Sequence, residues 1–143
     1  MAQGVTVISA TSERDEVLVR QIGAIAARYG PELIRQVQAH TSRVDAVLDA
    51  AGKGGLADAV KLAGGPSRVI TLADEHAADL GVSLSALTPD RAPDALDQAM
   101  PLLASGRLRL RAQRLLPVQD AAQSHALLET GQTDEKLVLS VGR

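Results

Sequence analysis

Residues 44–73 constrain the fold of this chain more than any other stretch. They read Val-Asp-Ala-Val-Leu-Asp-Ala-Ala-Gly, then Lys-Gly-Gly-Leu-Ala-Asp-Ala-Val-Lys-Leu-Ala-Gly-Gly, then Pro-Ser-Arg-Val-Ile-Thr-Leu-Ala. An apolar run at 44–49 predicts a buried strand. Leu56, Ala59, Val60 and Ala63 recur at helical spacing, and 68–73 is a second apolar run of strand length. Strand, glycine turn, helix and strand make a βαβ unit, which binds ligands at the carboxyl ends of its strands. A dinucleotide fold places a glycine-rich phosphate loop upstream of such a unit, and this chain starts too late to hold one.

The other segments repeat the alternation. Residues 5–9 form a short apolar strand. Ser12 and Asp15 form an S-x-x-D capping box before a helix carrying Val17, Leu18, Val19 and Ile22, stopped by Gly23. Residues 24–27 read as a weak strand. Pro31 opens a helix with Leu33, Ile34 and Val37 on one face. A helical turn at 75–80 precedes residues 82–87, where Ser83 and Ser85 alternate with apolar positions. Interleaved strands and helices predict a parallel α/β sheet. Pro93 starts a helix with Leu96, Ala99, Met100 and Leu103, in which Pro101 removes one backbone bond and predicts a kink. Leu108, Leu110 and Ala112 alternate with Arg107, Arg109 and Arg111 and predict a strand at 107–112. A helix at 119–129 and a strand at 136–141 complete the chain.

Composition narrows the function classes. At 143 residues the chain is long enough for a sizeable core. One Tyr is its only aromatic residue, so the core is built from Val, Leu, Ile and Ala. Net charge −2 with no basic run argues against nucleic acid. The absence of cysteine rules out disulfides, thiolate zinc sites and a Cys nucleophile. His40 and His76 lack ligand spacing, so no metal site is expected, and His125 on its helix reads as a partly buried structural residue. No Ser-His-Asp arrangement stands in motif context, and no catalytic residue is assigned. No apolar run suffices to span a bilayer, and no signal pattern opens the chain. A cytoplasmic protein with no membrane partner is the expectation.

Three signatures carry a family resemblance. The first is Val44-Asp45-Ala46-Val47-Leu48-Asp49 leading to Gly52. The second is Arg68-Val69-Ile70-Thr71-Leu72 after Gly64-Gly65. The third is the tail: Leu102-Leu103-Ala104-Ser105-Gly106-Arg107-Leu108, then 122–131 (AQSHALLETG), then Lys136-Leu137-Val138-Leu139. In this order and spacing the chain resembles the C-terminal, cofactor-domain half of the medium-chain dehydrogenase/reductase superfamily. Within it the match is to the zinc-free NADPH:quinone and enone oxidoreductases. The resemblance implies a partial Rossmann-like parallel sheet, lacking its first strand and glycine loop, with helices on both faces. It implies a truncated nucleotide-binding domain at 1–106. It further implies a strand-helix-strand segment at 107–143 that packs on a catalytic domain. Residues 1–4 resemble the tail of the helix that holds the pyrophosphate. In the doubly wound order 3-2-1-4-5-6 the first strand is central. Its loss leaves 5–9 and 44–49 flanking a gap with unpaired backbone groups. A homo-oligomer, with a dimer through strand 82–87, or a complementary chain is the expected remedy.

NADPH is the cofactor the resemblance implies. Ser9, Thr11, Ser12 and Arg14 at the tip after strand 5–9 resemble the NADPH-preferring pattern; helix capping explains Ser12 without any ligand. Asp49 and Gly52 end the strand where family members run their backbone past the cofactor, and Thr71, Leu72 and Ala73 resemble the next strand end, on the nicotinamide side. The glycines at 52, 54 and 55 are also explained as a turn. Tyr29 resembles a tyrosine near the adenine and serves equally as a surface cover. Two functions follow. One is the C-terminal portion of an NADPH-dependent oxidoreductase, inactive without the catalytic domain and glycine loop. The other is a non-catalytic, self-associating remnant or interaction module.

Overall fold

The computed structural model describes residues 4–85, 92–133 and 135–142. The chain divides into two compact units, Met1–Pro93 and Asp94–Arg143. The expected boundary at 106/107 concerned which segment packs on a further domain. The compact units part after Pro93, which groups the helix at 95–104 with the C-terminal strands.

In the first unit β1 (Ile8–Thr11) and β2 (Ile25–Arg28) pair in parallel, from Ile8 opposite Ile25 to Thr11 opposite Arg28. The strand expected at 5–9 therefore lies further along the chain. Its ladder begins where the Val7 carbonyl accepts the Ile25 N–H at 2.9 Å, while Val5 is 58% exposed. The connection is a 3-10 turn, Glu13–Asp15, running into α1 (Glu16–Gln21). Of the four apolar residues expected to line α1, only Val19 is buried; Val17, Leu18 and Ile22 are exposed. Helix α2 (Leu33–Gln38) follows Pro31 and buries Val37.

The βαβ unit forms as expected, with shorter strands. β3 (Val47–Asp49), β4 (Val69–Thr71) and β5 (Ser83–Leu84) make a parallel sheet in that order, β3 to β4 in register from Val47–Val69 to Asp49–Thr71. Arg68 is lost from β4 because Pro66–Arg68 is a 3-10 turn. Helix α3 (Leu56–Ala63) buries Leu56, Ala59 and Ala63. With Val69, Ala77 and Val82 these form the core, and Val47, Val60 and Leu84 pack on its edge. Fully burying a side chain of Leu56's size contributes ~1.5–3 kcal/mol. Gly64, left-handed at φ +73, ends α3, and the Gly65 N–H returns to the Val60 carbonyl at 3.0 Å, a Schellman closure. The turn expected at 75–80 is a 3-10 helix, Glu75–Leu80. The expected strand 82–87 runs into residues 86–91, outside the described ones, as do residues 1–3 of the expected helix tail.

The strands form two parallel sheets, β1–β2 and β3–β4–β5, each with helices between its strands. Among the described residues no strand pairs with the outer edge of β1 or of β3. The fold is a partial Rossmann-like α/β fold.

In the second unit α4 (Ala95–Ala104) runs on through Pro101. β6 (Gln113–Pro117), a 3-10 turn Val118–Asp120, α5 (Ala121–Glu129) and β7 (Lys136–Ser140) follow, β6 and β7 parallel from Gln113–Lys136 to Pro117–Ser140. The strand expected at 107–112 is displaced. The Leu108 N–H folds back to the Leu102 carbonyl at 2.9 Å, and pairing starts only at the Ala112 carbonyl, which accepts the Lys136 N–H at 2.8 Å. His125, expected to be partly buried, is exposed. Among the described residues of this unit Ser124 alone is buried.

Candidate functional site

The carboxyl ends of β3 and β4 are stitched into one hydrogen-bonded clasp. Asp49 Oδ1 accepts the backbone N–H groups of Ala51 and Gly52, each at 3.2 Å, and Asp49 Oδ2 accepts the Thr71 hydroxyl at 2.7 Å. Thr71 Oγ1 in turn accepts the N–H groups of Ala73 at 3.3 Å and Asp74 at 3.1 Å. Asp74 closes the next turn by accepting the His76 N–H at 2.9 Å. Thr71 is fully buried and Asp74 is 4% exposed. Both side chains are thus spent on shaping two loops.

Gly52 completes the clasp. It sits at φ +59, and a Cβ there would lie 2.7 Å from the Ala73 carbonyl oxygen. Only glycine lets the loop after β3 pass this close to the loop after β4. Leu72, 49% exposed, and Ala73, also exposed, present apolar surface beside it. The structure therefore brings Asp49, Gly52, Thr71, Leu72 and Ala73 together.

The ends of β1 and β2 form a second cluster. Thr11 is the last residue of β1 and is buried; Ser9 lies within the strand, not at its tip. The Ser12 hydroxyl donates to the Asp15 carboxylate at 2.8 Å, a side-chain pair in place of the expected cap on backbone N–H groups. Tyr29 is exposed and its N–H bonds the Thr11 carbonyl at 3.2 Å. Arg14 is exposed on the 3-10 turn.

Charge at this second cluster centres on residues that the strand and helix patterns do not single out. Arg28, at the end of β2, pairs through Nε with Glu16 and through Nη2 with Glu13 at 3.1 Å, and Arg20 reaches Glu16 at 2.9 Å. The hydrogen bond from Arg28 holds the Glu16 carboxyl below the usual range, against an opposing push from desolvation. The same bond holds Arg28 more firmly protonated. A signal for this cluster is present in the sequence: Glu13 and Glu16 bracket the first turn of a helix following a strand. Asp74 is signalled too, since Thr71-x-x-Asp74 repeats the spacing of Ser12-x-x-Asp15.

At the carboxyl ends of these parallel strands the hydroxyls of Ser12 and Thr71 and the N–H groups of residues 51, 52, 73 and 74 are used within the loops, while Tyr29, Leu72 and Ala73 present exposed apolar surface. No group of three or more His, Cys, Asp or Glu residues that could hold a metal ion occurs among the described residues. No helix among the described residues is long and apolar enough to cross a membrane.

Comparison with known proteins gives the family. The family model for zinc-binding dehydrogenases matches residues 24–139, so the chain belongs to that family, within the medium-chain dehydrogenase/reductase superfamily. The zinc in the family's description finds no ligand cluster among the described residues. Two solved structures share the fold. One is a quinone oxidoreductase of Pseudomonas syringae pv. Tomato DC3000, at TM-score 0.70 and 17% identity over 98% of this chain and 50% of that one. The other is the human synaptic vesicle membrane protein VAT-1 homolog-like protein, at TM-score 0.61 and 15% identity over 97% of this chain and 45% of that one. The chain thus spans about half the length of the structures it matches. Among curated proteins none matches it significantly.

Proposed function

We propose that this chain is the C-terminal, cofactor-domain portion of an NADPH-dependent oxidoreductase of the quinone or enone reductase or alcohol dehydrogenase type, cytoplasmic, and active only in company with a catalytic domain. The observation that carries the reading is the clasp of Asp49, Gly52 and Thr71 at the carboxyl ends of adjacent parallel strands, where a Rossmann sheet receives its ligand. A bound nicotinamide cofactor supplies the hydride. The chain's own residues orient it: Asp49 and Thr71 hold the two loops, and Gly52 keeps them close. Leu72 and Ala73 offer the apolar flank, Tyr29 faces the adenine side, and Ser9, Thr11, Ser12 and Arg14 form the ribose edge. The partner is a second copy, joined through the edge at β5, within the expected strand 82–87, or a complementary chain that supplies the central strand. The exposed apolar residues of α1 and α4 favour the second reading as well, a self-associating module without catalysis.

The test is a titration of NADPH against the full chain, followed by cofactor fluorescence, with NADH in parallel. A saturable response in the micromolar range that prefers NADPH supports the reading. No response at millimolar cofactor removes nucleotide binding by this chain alone and leaves the module.

A further inference from the structure

A cleft at the other end of the sheet is used by neither cluster. We propose that it is a binding site for a phosphate group, carried by a small organic phosphate ester or free as inorganic phosphate. The cleft has a volume of about 310 Å³ and is lined by Ser42, Arg43, Val44, Lys61, Leu62 and Arg68 among others. Arg43 and Val44 lead into β3, Arg68 immediately precedes β4, and Lys61 and Leu62 lie in the last turn of α3. The cleft therefore sits at the amino ends of the strands whose carboxyl ends carry the clasp, within the same compact unit.

Three basic residues, Arg43, Lys61 and Arg68, line it and no acidic residue does. Arg43 and Lys61 have surface partners outside the lining, Asp45 at 2.7 Å and Asp58 at 3.3 Å. Such exposed pairs are worth little and yield readily to a better anion. The Arg68 side chain has no hydrogen-bond or ion-pair partner among the described residues, and the Ser42 hydroxyl has none either. Arg68 is not needed to close α3, because Gly64 and Gly65 already return N–H groups to the Lys61 and Val60 carbonyls at 3.3 and 3.0 Å. The helix end carries only about half a negative charge, too little to occupy three cations. A phosphate monoester carries about −1.5 to −2 charges near neutral pH. Its oxygens match the two guanidinium forks. Val44 and Leu62 give the apolar wall that an organic remainder needs, and the volume lies at the small end of ligand pockets.

The experiment uses the full chain, labelled with 15N, and follows backbone amide shifts as glycerol phosphate, inorganic phosphate or succinate is added. The expected result is saturable shifts at Ser42, Arg43, Lys61 and Arg68, with Arg68→Ser weakening the midpoint by about tenfold and Arg68→Lys restoring part of it. Lys61→Met serves as the second variant if Arg68→Ser loses the folded spectrum. A tighter midpoint for glycerol phosphate assigns the ester; equal midpoints for the two phosphates assign the free anion. Succinate binding as tightly as phosphate, or shifts that grow linearly and spread over arginines outside the cleft, overturns the proposal. Glu75→Gln, on the exposed 3-10 helix beyond the carboxyl end of β4, leaves the phosphate midpoint unchanged.

Discussion

At the scale of single residues, Gly52 and Thr71 do the most. Gly52 is legible in the sequence as a turn glycine. What the sequence does not show is that its missing side chain is demanded by another loop, because the Ala73 carbonyl approaches from across the sheet. Replacing Gly52 with Ala adds a left-handed backbone penalty of ~1–2 kcal/mol to an overpacking cost of ~1–3 kcal/mol. Gly54 provides the contrast: it is also left-handed, at φ +80, but a Cβ placed there would meet nothing within 4 Å. Gly54→Ala should therefore cost only ~1–2 kcal/mol, and chemical denaturation should rank the two variants in that order. Asp49 and Thr71 follow the same lesson. Their positions at strand ends are readable, but not their bond to each other, since the residues are far apart in sequence and meet only through the β3–β4 register.

At the scale of elements, the periodic patterns locate most helices and strands and misjudge which faces are covered. Helix α3 matches its stripe because a sheet lies beneath it. Helix α1 has a comparable stripe, yet Val17, Leu18 and Ile22 remain in solvent. Alternation alone also misplaces the strand at 107–112, because a strand requires a partner as well as a pattern; β7 pairs with 113–117 instead. Besides buried Val19, an ion-pair network links α1 to β2. Glu16 bridges Arg20 of its own helix and Arg28 of β2. Its folded-state value is lowered, so its contribution is fully present above the unfolded value near 4.5 and is lost as the pH falls through the folded one. Urea midpoints measured from neutral to acid pH should fall less steeply for Glu16→Gln than for the parent chain, and the parent should be the more stable only on the neutral side. An equal slope in both would remove Glu16 from the acid response.

At the scale of the whole molecule, apolar side chains left in solvent decide, because large exposed apolar patches mark surfaces that associate. Leu48 on β3, Leu96 and Met100 on α4, and Leu115 on β6 are among the exposed apolar side chains. Purified alone, the chain should self-associate. Light scattering should give an average mass above 14.9 kDa that rises with concentration; a monomer stable across the high-micromolar range would contradict this.

The sequence by itself determined the alternation of strands and helices, the family, and the glycine and strand-end positions of the candidate site. Those features rest on local periodicity and on residues with special backbone freedom, which are legible without knowing neighbours. The tertiary structure alone decided that β1–β2 and β3–β5 form separate sheets, that Asp49 and Thr71 bind each other, that Arg28 is held by two glutamates, and that three cations share a cleft at the amino ends. Each of these depends on which distant segments meet, and pairing of distant segments is set by strand register and burial, not by any local pattern.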